Sequence, residues 1–270
     1  QYRETGLAFI SRLLEEEGIF YFFEHSEDKH LLVFGDSPVN YQPIAGEAHL
    51  IYHASDALVP EGEAVTGFAL SSRIVSGRYA QNDFNFEQPT VNLTTAKAGE
   101  AFKALEVYDY PGHYRDEATG KRLADIRLQQ GQLSREQASG ASVCPRLTPG
   151  FTFTLSDHAS ERLNREYLLT ALTHEATQAQ EIEELAGEGE TRYTNRFECL
   201  PSSVGLRPVL KTPRPVVEGP QTAIVVGPAD EEIYTDRYGR VKVQFHWDRE
   251  GGRNENSSCW IRVASGMAGG

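Results

Sequence analysis

Between Arg240 and Asp248 the chain reads RVKVQFHWD, apolar and polar residues in strict alternation. Successive side chains of a strand point to opposite faces, so a period of two commits this stretch to a half-buried β-strand and rules out a helix. Val241, Val243, Phe245 and Trp247 fall on one face and are expected to be buried. Lys242, Gln244, His246 and Asp248 fall on the other, facing solvent or a partner chain. Asp236 and Gly239, just upstream in TDRYGR, supply the chemistry of a register-setting turn. His246 and Asp248 share a face about 7 Å apart by the rise of a strand. The sequence places no serine or cysteine nucleophile beside them, so the pair is read as part of a strand and not as a catalytic dyad.

The rest of the chain extends this β-rich pattern. TGLAFISRLLEEEG predicts a short amphipathic helix, with Thr5 as N-cap, Leu7, Ile10, Leu13 and Leu14 at helical spacing, and Gly18 as its stop. IFYFFEH and HLLVFG, aromatic runs on either side of SEDK, predict a hairpin. Further strands are expected in VTGFALSSRIVSGRYAQNDFNF, ALEVYDYPG, GFTFTLSD, REYLLTALTHEATQ and TRYTNRFECL, and a helix over DEATGKRLADIRLQQGQLSREQASG that buries Leu123, Ile126 and Leu133. PSSVGLRPVLKTPRPVVEGP, with five prolines, reads as a semi-rigid linker. Beyond it QTAIVVGP, EIYTDRYGRVKVQFHWD and SSCWIRVAS read as three strands of a small antiparallel barrel. The expected organisation is a β-barrel portion with short helices over residues 1–200, a linker over 201–219 and the start of a second barrel over 220–270. Gln1 at one end and MAGG at the other give the chain the look of a piece of something longer.

Charge and motif content narrow the chemistry. The net charge is −13, yet the eight basic and eight acidic residues from Lys211 onward cancel, so the excess lies wholly before them. Such a balance disfavours nucleic-acid binding, which needs clustered Lys and Arg. An oligonucleotide face built from Lys242, His246, Trp260 and Arg262 is weak for the same reason. Cys144, Cys199 and Cys259 are too scattered for a disulfide framework or a structural zinc site, and a reducing compartment is the simplest origin. THEAT at Thr173 begins like a zinc-protease motif, but Gln178 stands where the second histidine is required. His49 and His53 lack a third ligand, and the EEEG, EIEELAGEGE and AGEGET runs read as solvated acidic faces or loops. The sequons at Asn92 and Asn256 are chance matches. No apolar run is long enough to span a membrane. No catalytic, cofactor-binding or metal-ligating residue is assigned, and Trp260, expected to be exposed, is read as an interface residue between chains.

GLAFISRLLEEEGIFYFFEH, YDYPG, LTPGFTFTLSDH with YLLTALTHEA, and above all TDRYGRVKVQFHWD followed by SSCWIRVASGMAG together resemble VgrG, the valine-glycine repeat family of bacterial type VI secretion spikes. The resemblance implies a homotrimer like the central hub and OB-fold collar of contractile phage tails. In that family two hub barrels per chain present a pseudo-six-fold face to the hexameric tube protein Hcp, and an OB-fold leads to a β-helical needle capped by a PAAR-repeat tip. Most of the first barrel, the rest of the OB-fold and the needle have no counterpart here. The resemblance further implies a cytoplasmic protein secreted through the apparatus with effectors, no cofactor, no nucleic acid and no stable membrane insertion. A phage-like tail hub, and the carrier part of a cell-wall hydrolase, are the alternatives. Trp260, Arg262 and His246 in the C-terminal part, with Phe20 and Phe22 in the aromatic hairpin, are the candidate contact residues.

Overall fold

The computed structural model describes residues 1–54, 62–178, 192–264 and Gly266. The chain forms two compact units, one of Arg3–Arg214 with Gln1, the other running from Pro215 onward with Tyr2.

The first unit opens with α1 (Gly6–Glu17), capped by Thr5, whose hydroxyl accepts from Ala8 N, and ended by Gly18 at φ +69°. The hairpin β1 (Phe20–His25) and β2 (His30–Gly35) follows. A six-stranded barrel holds the main core. Its members are β4 (His49–Tyr52), β5 (Ala64–Ser72), β9 (Glu136–Ser142), β10 (Phe151–Ser156), β11 (Glu166–Thr177) and β12 (Arg192–Pro201), in the order β11-β12-β9-β5-β4-β10, with β10 returning to β11. The two-residue β3 (Gln42–Pro43) lies parallel against β10. Val65, Phe153, Leu155, Tyr167, Leu169 and Phe197 fill the interior. Phe68, Gly140 and Phe197 stand in one cross-strand row. A Cβ on Gly140 would come within 2.4 Å of the Phe197 ring and 2.6 Å of Gly67 O. Glycine there lets Phe68 and Phe197 approach to 6.3 Å between ring centroids.

Between β5 and β9 the chain leaves the barrel to make β6 (Arg78–Gln81), β7 (Thr95–Ala98) and β8 (Glu106–Asp109), a sheet of order β7-β6-β8 backed by α2 (Glu117–Gln132). Leu93, Tyr114 and Leu123 form its small core. The Tyr114 hydroxyl donates to Leu93 O at 2.5 Å, with Gln81 O a second, longer acceptor at 3.2 Å. A Cβ on Gly120 of α2 would lie 2.5 Å from the Tyr114 ring, so helix and tyrosine pack through the missing side chain.

The expected helix buries Leu123, Ile126 and Leu133, but its sequence reach was too long. Helical geometry ends at Leu133–Arg135, and EQASGAS becomes β9, held between β5 and β12. Barrel pairing overrides the helix propensity of REQA. The short β3, β4, β7 and β9 carry no strong pattern of their own and were not expected.

In the second unit β13 (Ala223–Val226) pairs antiparallel with β14 (Lys242–Phe245), and Val241 bridges Ile261. The TDRYGR turn is as read: Asp236 Oδ1 accepts from Tyr238 N and Arg240 N, and Gly239 takes φ +67°. The two-faced reading of RVKVQFHWD needs correction. The strand stops at Phe245, where Asp248 N donates to Phe245 O. Gln244 is buried, its amide donating to Asp248 O and accepting from Arg253 N, so a residue expected at the surface organises the turn from inside. Trp247, expected to be buried, is 47% exposed, stacked on Phe245 and donating from Nε1 to Gln221. SSCWIRVAS contributes only the Ile261 bridge, so the described residues show two strands and no closed second barrel.

Candidate functional site

Hairpin β1–β2 presents two unlike faces. Phe20↔Gly35, Phe22↔Val33 and Glu24↔Leu31 alternate with Tyr21↔Phe34, Phe23↔Leu32 and His25↔His30. In the first set Phe20, Phe22 and Gly35 turn inward, whereas Leu31 at the far end is 49% exposed. Phe20 covers Gly35 and packs 5.9 Å from Tyr41, while Phe22 lies edge-on to Phe151 at 5.5 Å and over Gly150. A Cβ on Gly150 would fall 2.4 Å from Phe22 Cγ. The second set is an open ladder: Tyr21, Phe23, Leu32 and Phe34 are 41–52% exposed, with no charged residue among them. At its end the Nδ1 atoms of His25 and His30 lie 2.6 Å apart. The apolar side of α1 is also open, Leu7 and Ile10 being more than half exposed. These exposed apolar side chains on one hairpin and its preceding helix are the candidate contact surface of the described residues.

The EEEG run is not the solvated face expected of it. Glu15 accepts from Lys211 N, Thr212 N and the Thr212 hydroxyl, Glu16 from Arg214, and Glu17 from Arg122. Gln130 on α2 donates to both Glu15 O and Pro208 O, and Arg207 reaches Gly18 O and Gln129. Three carboxylates at a helix C-terminus oppose the helix dipole. Here Glu15 and Glu16 hold residues 211–214 along α1, and Glu17 ties α1 to α2. No periodicity announces that role, which depends on partners some 200 positions away.

The candidate contact residues divide. Phe20 is buried and Phe22 half-buried, so neither offers a free face, and their outward neighbours do. Trp260 is not the exposed ring expected. It is half-buried, 5.0 Å from Tyr234 with Lys242 Nζ 5.1 Å over its face. His246 and Arg262 are exposed. Asp248 accepts from Glu250 N and Gly251 N, which draw its carboxyl below the usual range and make it a turn cap. In THEAT, His174 lies on β11 with Nδ1 2.7 Å from the Tyr193 hydroxyl, and Thr173–Thr177 is strand. The described residues hold no group of three side chains that would bind a metal. Cys144 and Cys199 are free and buried, and burial pushes both thiols up, away from the thiolate a nucleophile requires. The AGEGET loop lies outside the described residues. No described helix is long and apolar enough to cross a membrane.

A closed barrel with a helix-backed insertion and an open aromatic hairpin can be compared with known proteins. The family model for the phage tail baseplate hub (GPD) matches residues 1–180. The type VI secretion system spike protein VgrG5 of Pseudomonas aeruginosa is 41% identical over all of this chain and 35% of its own length. VgrG3 of Vibrio cholerae, another type VI spike protein, is 37% identical over all of this chain and 26% of its own. The chain thus spans roughly a third of the curated relatives it matches. Among solved structures, the E. coli c3393 protein is described as a type VI secretion component with structural similarity to the T4 tail proteins gp27 and gp5. It superposes with a TM-score of 0.61 at 23% identity, over 98% of this chain and 56% of that one, a likeness of fold. A barrel whose family model covers two thirds of the sequence, and whose resemblance to VgrG spike proteins runs from end to end, places the chain plainly: it belongs to the phage tail baseplate hub (GPD) family.

Proposed function

We propose that this chain is the hub portion of a type VI secretion spike, a structural and non-enzymatic part that assembles as a homotrimer and docks on the hexameric Hcp tube. The end-to-end match to VgrG spike proteins carries this reading. The open ladder of Tyr21, Phe23, Leu32 and Phe34 supports it from the chain itself. Covering four half-exposed side chains contributes about 1 kcal/mol each. That driving force is needed, because subunits of −13 repel one another.

In this reading residues 220–270 begin an OB-type barrel, completed by chain that the longer relatives possess. His246 and Arg262 are its contact residues. The PAAR-repeat tip and effectors attach beyond it, and the assembly forms in the bacterial cytoplasm before it is secreted to puncture a target membrane. Co-sedimentation of the full-length protein with Hcp rings tests the docking. One spike trimer is expected per tube end, and a spike that stays in the supernatant at micromolar concentration contradicts it.

A further inference from the structure

The outward ladder of the β1–β2 hairpin ends in two histidines instead of an apolar pair. Ser26 N donates to Lys29 O, which makes Ser26 and Lys29 a hydrogen-bonded pair. By the alternation of an antiparallel ladder, His25 and His30 are then a non-hydrogen-bonded pair, the kind whose side chains stand closest across the strands. Their rings lie 4.7 Å apart between centroids at 72°, and their Nδ1 atoms converge to 2.6 Å. Phe23, two residues back on the same face, stacks on His25 at 6.2 Å and limits the positions open to that ring.

Two ring nitrogens aimed at one point can share a proton or a cation. At 2.6 Å one Nδ1 carries the hydrogen and the other the lone pair. With both protons on Nε2 instead, two Nδ1 lone pairs face the same gap and the pair becomes a two-toothed ligand. Metal–imidazole bonds of about 2.0–2.1 Å set the two nitrogens roughly 2.9 Å apart at a right angle and roughly 3.3 Å apart at a tetrahedral one. Both imidazoles are exposed, so small side-chain rotations open the gap by that fraction of an ångström. Glu24, Glu27 and Asp28 against Lys29 alone give the tip an acidic surplus, which favours the approach of a cation.

We infer that His25 and His30 form a binding site for a late first-row divalent metal ion. Imidazole nitrogen suits Cu²⁺, Ni²⁺ and Zn²⁺, whereas Mg²⁺ and Ca²⁺ take oxygen ligands. Among the described residues no third metal-binding side chain joins the pair, so water completes the shell of a bound ion. The ion ties β1 to β2 at the open end of the hairpin and holds the next outward rung, Phe23 and Leu32, in register. The site lies within one hairpin of one chain and does not depend on the proposed trimer.

Copper is the probe. Untagged full-length protein, stripped with EDTA and dialysed, is titrated with CuCl₂ and followed by calorimetry and electron paramagnetic resonance. The wild type is expected to bind one Cu²⁺ more per chain than the variant carrying both His25→Gln and His30→Gln, with imidazole nitrogen hyperfine structure on that ion. Because one ion needs both rings, each single variant should weaken its binding by about tenfold or more, and the double variant little further. His49→Gln, which removes an exposed histidine beside Glu47, should leave it unchanged. In the wild type CuCl₂ should also slow amide exchange over residues 23–32, read by mass spectrometry, a measurement that needs no substitution. If the wild type and the double variant bind Cu²⁺ in equal number and strength, or if the hairpin amides exchange no more slowly with the ion present, the site is overturned. Neither result touches the trimer, which light scattering reads separately.

Discussion

Gly150 holds φ +92° with the Phe22 ring in the space a side chain would take. Gly150→Ala strains the backbone and pushes the hairpin off the barrel, so a loss of about 1–3 kcal/mol is expected in urea unfolding. Gly131 on α2 has nothing within 4 Å of its missing Cβ, and Gly131→Ala should stabilise by roughly 0.5–1 kcal/mol. Glu136 is a second sensitive residue. Hydrogen bonding to Arg165, and then to Arg162, holds its carboxyl below the usual range. A depressed carboxylate contributes stability that is fully present above its unfolded value of about 4.3 and is lost as pH falls through the lower folded value. Glu136→Gln should therefore cost about 0.5–1 kcal/mol at pH 7 and progressively less below pH 4, read from paired urea titrations. Single residues were the least legible part of the sequence. The role of Gln244 follows from the turn folding back over it, and that of Glu15 from a strand of chain near Lys211; neither lies in local pattern.

At the level of elements, sequence went further where one period dominated. α1 with its Thr5 cap and Gly18 stop, the β1–β2 hairpin and β10 to β12 stand where alternation or helical spacing put them. β9 did not, since REQASG has helical propensity and becomes strand only through two neighbours distant in sequence. RVKVQFHWD marked a strand correctly but not its end, because alternation continues through a turn it does not signal. The candidate site was half legible: the aromatic hairpin was identified, whereas its facing depends on Gly35 and Gly150, which admit Phe20 and Phe22 inward. A substitution on the open face should therefore separate folding from assembly. Phe23→Ser is expected to change monomer stability by less than about 0.5 kcal/mol while weakening self-association at least tenfold in sedimentation velocity. An unchanged association would remove the ladder from the interface.

For the whole molecule, the first unit carries −11 of the −13, and on the proposed reading copies of the chain associate against that repulsion. On that reading the open apolar surfaces supply the attraction, and it should strengthen with salt as the like charges are screened. Membership of the hub family is carried by sequence and fold together, and assembly is the claim on which the rest of the account stands. Its most direct test is the molar mass of the full-length protein by light scattering across micromolar concentrations. The account predicts three chains per particle at every concentration, and a stable monomer would contradict it.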